Sequence, residues 1–273
     1  MKAATALGIG LAFAGLMIGA TLEGSALSAF LNVPAALIVL GGTAGATLAS
    51  TSLEAMRRVP ALYMRSFRAA PPDLAARVEL LVSFADKARR DGLLALEDEI
   101  DGLEDDFTRK GLQLVVDGTE PELVLQVLEN EIDSTNARHA LGRAPFEKAG
   151  GFAPTMGIIG TVMGLVHVLE NIDAPSTLGP AISGAFIATL YGVASANVVF
   201  LPVANKLKQL TDAETSLREL TIEGVLAIQA GDNPRLVAEK LLALVPPAER
   251  PAAEEKKSAA RPAAEPEPAR AAA

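Results

Sequence analysis

Apolar residues in this chain are not spread along it. They gather into four blocks without Asp, Glu, Lys or Arg: residues 3–22, 33–52, 152–169 and 180–201. Each is long enough for a helix to cross a hydrocarbon core of roughly 30 Å. The first has a second reading, a cleaved signal peptide, because Lys2 precedes it and small residues follow at 26–29. Its length and the later blocks favour a membrane helix. Small residues recur inside the blocks at four-residue spacing: Gly15 and Gly19, then Gly41, Gly45 and Ala49. The third block carries Gly157, Gly160 and Gly164, and the fourth Gly184, Ala188, Gly192 and Ala196. In a water-exposed helix each interior Gly costs about 1 kcal/mol against Ala. In lipid, small residues let helix backbones approach closely. The pattern therefore predicts a packed transmembrane hairpin over 152–202, a stripe that serves equally for packing within one subunit.

Between the blocks the period changes to that of water-exposed helices. Leu80, Leu81, Phe84 and Ala88 fall on one face, as do Leu93, Leu94, Leu96, Ile100 and Leu103 after Asp91-Gly92. Thr119-Glu120-Pro121-Glu122 is a capping box. The helix it opens is expected to run towards block three, with a bend at Gly150-Gly151 before Pro154. Gly231-Asp232-Asn233-Pro234 stops one helix and caps the next. Residues 246–273 reduce to Ala, Pro, Glu, Lys and Arg with a lone Ser and build no core, so a disordered tail is expected. The predicted fold is an all-α integral membrane protein. Its parts are a hairpin at 1–52, a helical domain at 53–151, a hairpin at 152–202, helices at 203–245 and the tail.

Charge orients this arrangement. Arg57, Arg58, Arg65 and Arg68 follow block two, Arg138, Arg143 and Lys148 precede block three, and Lys206 and Lys208 follow block four. The connections at 23–32 and 170–179 have no Lys or Arg. Both termini and the 53–151 domain are therefore expected in the cytoplasm.

Composition narrows the chemistry. The chain has no Cys, two His and a net charge of −9. It shows no zinc spacing, no phosphate-binding loop and no nucleophile–base set in one segment, so no enzyme, no cofactor and no nucleic-acid partner is expected. The span interiors also lack any ionisable group of the kind an ion pathway uses at depth. If the chain moves ions, the carboxylate comes from another chain. What blocks three and four offer is hydroxyl and amide: Thr155, Thr161, Ser183, Thr189, Tyr191, Ser195 and Asn197. A membrane Thr commonly bonds to its own helix, so hydroxyls alone do not make a site.

Several runs resemble one family. They are Ala153-Pro154, Gly157-Ile158-Ile159-Gly160-Thr161, Ala188-Thr189-Leu190-Tyr191-Gly192, Pro202-Val203-Ala204-Asn205-Lys206-Leu207, Gly224-Val225-Leu226-Ala227-Ile228-Gln229 and Asn233-Pro234-Arg235. Ala88-Arg89-Arg90-Asp91-Gly92-Leu93-Leu94-Ala95-Leu96-Glu97 adds a cytoplasmic match. Together they resemble the MotA/PomA stator subunits of the bacterial flagellar motor, within the MotA/TolQ/ExbB superfamily. The resemblance runs from residue 1 to about 245, and the order of two spans, a domain and two spans is also the family's. TolQ and ExbB proteins have one span before their large cytoplasmic segment. A TolQ/ExbB-like subunit energising a periplasm-spanning partner is the alternative.

The resemblance implies a bacterial inner-membrane protein of flagellar motility. Five copies would surround two copies of a single-span MotB- or PomB-type partner, whose transmembrane Asp supplies the missing carboxylate. Na+ or H+ would pass between the partner and spans three and four, and cytoplasmic charges would push the rotor protein FliG. By position, Pro154 falls beside the partner Asp. Thr161 and Thr189 match hydroxyls that strip and hold sodium, with Thr155 and Tyr191 on the same pathway. Arg89, Arg90, Glu97 and Asp98 face FliG, while Gly157, Gly160, Gly164, Gly184, Ala188 and Gly192 pack the helices. Many proton-type members have Ala at the position of Thr161, whereas PomA-type chains commonly have Thr at the position of Ala188. The two threonines favour Na+ over H+.

Overall fold

A computed structural model describes residues 4–250, and among them every regular element is helical. Helix α1 is Ala4–Leu22, α2 is Val33–Ser50, α3 is Leu53–Arg68 and α4 is Leu74–Asp91. Then come α5, Asp106–Val116, α6, Pro121–Glu170, α7, Pro175–Gln229, and α8, Pro234–Leu244. Helices α1 and α2 and stretches of α6 and α7 are long and apolar enough to cross a membrane. This is the all-α, four-span architecture that the hydropathy pattern predicts. Residues 1–3 and 251–273 lie outside the described residues, and with them most of the expected tail. Of its start, Pro247–Glu249 form a single 3-10 turn.

The described residues fall into two compact units that exchange chain after Pro71, Ile132 and Ala213. These borders differ from the 52, 151 and 202 suggested by hydropathy. The reason is packing: Val59, Leu62 and Tyr63 of α3 close on Phe146 of α6 and on Val203, Ala204 and Leu207 of α7. Stretches that hydropathy marks as water-exposed thus belong with the spans.

In the unit that holds the spans, local chemistry sets the helix starts. Asn32 caps α2, its Oδ1 accepting from Ala35 N–H at 2.9 Å, and Ser52 caps α3 in the same way at 3.1 Å. Two π-helical turns interrupt the spans, Leu37–Gly41 in α2 and Ser195–Phe200 in α7. A four-residue stripe drifts by about 40° per step on an α-helix, and a turn with one extra residue winds back roughly 100°. The turn in α7 therefore keeps Val203, Ala204 and Leu207 on the face begun by Ala188 and Gly192. Helix α6 stays helical through Gly150, Gly151 and Pro154, where a bend was expected from the sequence.

The second unit is built around Leu81 and Phe84 of α4, Leu112 of α5, Leu128 of α6, Leu220 and Ile228 of α7 and Leu241 of α8. Gly92 follows α4 with φ of 86°, a left-handed conformation that a Cβ disfavours, and turns the chain into the short helical segments Leu93–Leu96 and Glu97–Ile100. Asp105 caps α5 through Thr108 N–H and pairs with Arg77, whose guanidinium also reaches the Thr108 and Thr221 hydroxyls. Burial pushes the Asp105 pKa up. The Thr108 hydroxyl, the Arg77 guanidinium and the Thr108 N–H outweigh it and hold the carboxyl below 3.8.

Asp105→Asn keeps the cap and removes the charge, leaving the largely buried Arg77 without its counter-ion. The expected loss is about 2 kcal/mol, reduced from the value for a buried pair because Asp105 is half exposed. It should appear as a melting temperature lower by roughly 5 °C in the purified protein. Because the folded pKa is depressed, the contribution is full above 3.8 and is lost as pH falls through the lower folded value. The gap between the two proteins should therefore persist at neutral pH and close in acid.

Candidate functional site

The seam between α6 and α7 is glycine-made. A Cβ on Gly157 would stand 2.9 Å from the Ala188 carbonyl oxygen, and one on Gly160 2.8 Å from the Ala188 Cβ. On Gly164 it would lie 2.8 Å from the Ala185 Cβ, and on Gly192 it would collide with the Ala153 carbonyl oxygen. The two backbones therefore touch directly, through the α6 glycines and through Ala185, Ala188 and Gly192 of α7. Gly184 serves another contact: its hypothetical Cβ would meet the Asn32 side chain at 2.9 Å. Among the described residues, a Cβ on Gly15, Gly19, Gly41 or Gly45 would meet no neighbouring element within 4 Å, so these glycines do not mark a close helix approach there.

Two hydroxyls cross the α6–α7 seam. The Thr161 Oγ1 lies 3.0 Å from the Gly157 carbonyl oxygen of its own helix and 2.9 Å from the Ala185 carbonyl oxygen of α7, and it also contacts the Thr189 hydroxyl. A hydroxyl has one proton. When Thr161 donates to either carbonyl, Thr189 must donate to Thr161, and the lone pairs of the Thr189 oxygen stay open. The result is a cluster of four oxygens, two hydroxyl and two carbonyl, in a stretch without a formal charge. Such a cluster can replace part of a cation's hydration shell, as carbonyl rings do in ion filters. It cannot bind and release a proton by its own titration.

Pro154 lies on the same edge of α6. Seven residues separate it from Thr161, which places the two within about 20° of azimuth. Having no N–H, Pro154 leaves the Gly150 carbonyl without its intrahelical donor. The face flanking this edge is apolar and exposed, with Ile158 58% and Leu165 43% accessible. Thr155 points elsewhere: it is exposed, about 100° from Pro154, and its hydroxyl donates to the Phe152 carbonyl at 2.8 Å. The Tyr191 hydroxyl is committed to α2, accepting from Asn32 N–H at 3.2 Å and donating to the Phe30 carbonyl. Asn32 thus caps α2, fills the space left by Gly184 and anchors Tyr191. An Asn directly before Val33-Pro34 is a readable cap signal, although its other two contacts are not written in the sequence.

In the second unit, Arg89, Arg90, Glu97 and Asp98 are all exposed around the Gly92 turn. Arg90 pairs with Asp86 at 2.7 Å in a solvent-exposed contact, the kind that contributes at most about 1 kcal/mol. Lys87 bridges to Glu99 at 2.7 Å, which ties α4 to the Glu97–Ile100 turn. Between the two sets of charges Leu94 is 73% exposed.

The model of the MotA/TolQ/ExbB proton channel family matches residues 99–220. Motility protein A of Bacillus subtilis (strain 168) is 36% identical over 251 residues, covering 92% of this chain and 93% of that protein. The chemotaxis protein PomA of Vibrio alginolyticus is 39% identical over 241 residues, covering 87% and 92%. Among solved structures, a chain of the flagellar MotAB stator complex from Bacillus subtilis superposes with a TM-score of 0.83 at 38% identity, covering 89% of this chain and 96% of that one.

Proposed function

Because this chain belongs to the motility protein A family, a branch of the MotA/TolQ/ExbB proton channel proteins, we propose that it is a flagellar stator subunit that turns cation flow into torque. It is a multi-pass membrane protein with four spans. The observation that carries the reading is the oxygen cluster at Thr161 and Thr189, which crosses a glycine-made seam lacking any carboxylate of its own. A MotB- or PomB-type partner supplies that carboxylate from its single span, laid along the exposed apolar face beside Pro154 and Thr161. Five copies surround two partners in the inner membrane, with both termini in the cytoplasm.

In this reading Pro154 does its work through the backbone, offering the Gly150 carbonyl oxygen to a bound water or ion near the partner's carboxylate. Thr161 and Thr189 provide oxygen ligands, which a partly dehydrated Na+ needs and a proton does not. Sodium is therefore the ion assigned. One charge crossing 100 mV is worth about 2.3 kcal/mol, enough to bias a helix contact at each step. At the other end Arg89, Arg90, Glu97 and Asp98 present both signs to FliG, with Leu94 between them. Tyr191 holds α7 against the start of α2 at the edge of the pathway.

Deleting the chain should leave flagella assembled and the cells immotile, with swimming restored on re-expression. Normal swimming without it overturns the stator assignment. At fixed pH, speed should rise with external sodium. A speed that ignores sodium and follows pH overturns the choice of ion and leaves the stator reading intact.

A further inference from the structure

Four helices of the unit that holds the spans enclose a cavity of about 140 Å³. Leu40 of α2, Met56 of α3, Phe146 of α6 and Phe200 of α7 form its walls. The lining is almost wholly hydrocarbon. The polar residues in it are Thr43 and Thr47 of α2, each 2% exposed. Neither hydroxyl oxygen has a hydrogen-bond partner among the described residues. A threonine inside a membrane helix commonly bonds to a carbonyl of its own helix, as the Thr161 hydroxyl does with Gly157. Thr43 and Thr47 lack even that contact, and they share one side of a cavity.

The two hydroxyls narrow what can fill the space. They are one helical turn apart, about 6 Å along the axis. Both oxygens are covered by neighbouring atoms, so what the two residues show the cavity is mainly methyl. Rotation about χ1 exchanges methyl for hydroxyl in nearly the same volume. A single oxygen held midway, about 3 Å from each, can then accept from one hydroxyl and donate to the other. A water molecule there would find only those two partners, whereas buried waters typically have about three. A molecule that adds apolar contacts to the same two bonds is the better match, and a cavity of roughly 150 Å³ holds one benzene ring. No ionisable side chain lines the cavity among the described residues. Its exposed rim, Leu40 and Ala44, belongs to a stretch apolar enough to cross a membrane, which admits neutral molecules and opposes charged ones.

We propose that this cavity is a binding site for a neutral single-ring molecule with one hydroxyl, a phenol. The ring packs among Leu40, Met56, Phe146 and Phe200, and its oxygen bridges Thr43 and Thr47. Such a molecule touches α2, α3, α6 and α7 at once and ties the four helices together. None of the lining residues belongs to the Thr161–Thr189 cluster, so the site stands whether or not the chain conducts an ion.

The test uses the full chain purified in detergent and titrated with 4-fluorophenol or with 4-fluorotoluene, bound probe being read by fluorine NMR against empty micelles. 4-Fluorophenol should give a saturable signal that micelles alone lack, and should bind about tenfold more tightly than 4-fluorotoluene. The double variant Thr43→Val, Thr47→Val should weaken 4-fluorophenol by about tenfold and leave 4-fluorotoluene unchanged. Without ligand its melting temperature should not fall, because each substitution exchanges an unpaired buried hydroxyl for a methyl. Ala149→Leu, which grows a side chain into the cavity, should remove the binding of both probes. Equal affinity for the two probes, or a double valine variant that keeps the preference, overturns the proposal. A ligand-free double variant that melts several degrees lower overturns it in favour of hydroxyls that hold the helices together. No saturable signal from either probe overturns it in favour of a closed or water-filled void.

Discussion

Gly192→Leu is expected to abolish swimming and to lower the amount of chain in the membrane at least several-fold. The space a side chain would occupy at Gly192 is already taken by the Ala153 carbonyl oxygen, and the Gly157 Cα lies 3.0 Å away. Neither is a side chain that can swing aside. Overpacking of side chains alone costs typically 1–3 kcal/mol, and a backbone collision in a two-helix seam should reach at least the upper end. The effect should be graded, because the first carbon is the one that collides. Gly192→Ala is expected to retain assembly in part and to lose most of the speed. Immunoblots of membranes alongside swimming speed measure both, and a Leu variant that swims normally would show that α6 and α7 do not meet as described.

Thr161→Val, nearly the same shape without the hydroxyl, should leave the chain folded and membrane-inserted while lowering swimming speed about tenfold, which corresponds to roughly 1.4 kcal/mol on the limiting step. Its hydroxyl is the hub of the cluster, touching oxygens from both helices. Thr189→Val should have a smaller effect, since it removes one contact and leaves Thr161 with two carbonyl acceptors. The double variant should be little worse than Thr161→Val alone, because the two side chains act as one unit. Thr161→Ser should restore most of the speed. If instead Thr161→Val and Thr189→Val swim as fast as the parent over a range of sodium concentrations, the hydroxyls only pack the seam.

Much of this architecture was legible in the one-dimensional pattern. Uncharged blocks of span length and a basic flank on one side need no tertiary information to be recognised. The seam between α6 and α7 was legible too, because Gly157, Gly160 and Gly164 leave an obvious groove. The seams suggested in α1 and α2 show the limit of that logic. The same spacing at Gly15 and Gly19 meets no neighbouring element among the described residues, since a small residue permits an approach without requiring one. The π-helical turns left no sequence signal at all, being set by how neighbouring spans pack. The role of Tyr191 was hidden because its partners, Phe30 and Asn32, lie some 160 residues earlier and act through backbone groups. The compact units crossed the hydropathy borders for a similar reason: α3 is polar on average, and only its packed face decides where it belongs.

Pro154 and Thr161 share an edge of α6 but stand at different depths. The carbonyl freed by Pro154 is that of Gly150, eleven residues before Thr161 and about 16 Å lower by helix rise, whereas the oxygens that hold a hard cation sit roughly 2.5 Å from it. No ion can rest on the Thr161 hydroxyl and on the carbonyl freed at Pro154 at the same moment. An ion that uses both must pause twice, and something must carry it across the gap. In the proposed reading the partner's carboxylate, on a flexible side chain, spans only part of that distance, so the helix bearing it has to shift relative to α6 between the two pauses. Two fixed stations set farther apart than one ligand can reach make passage and movement the same event.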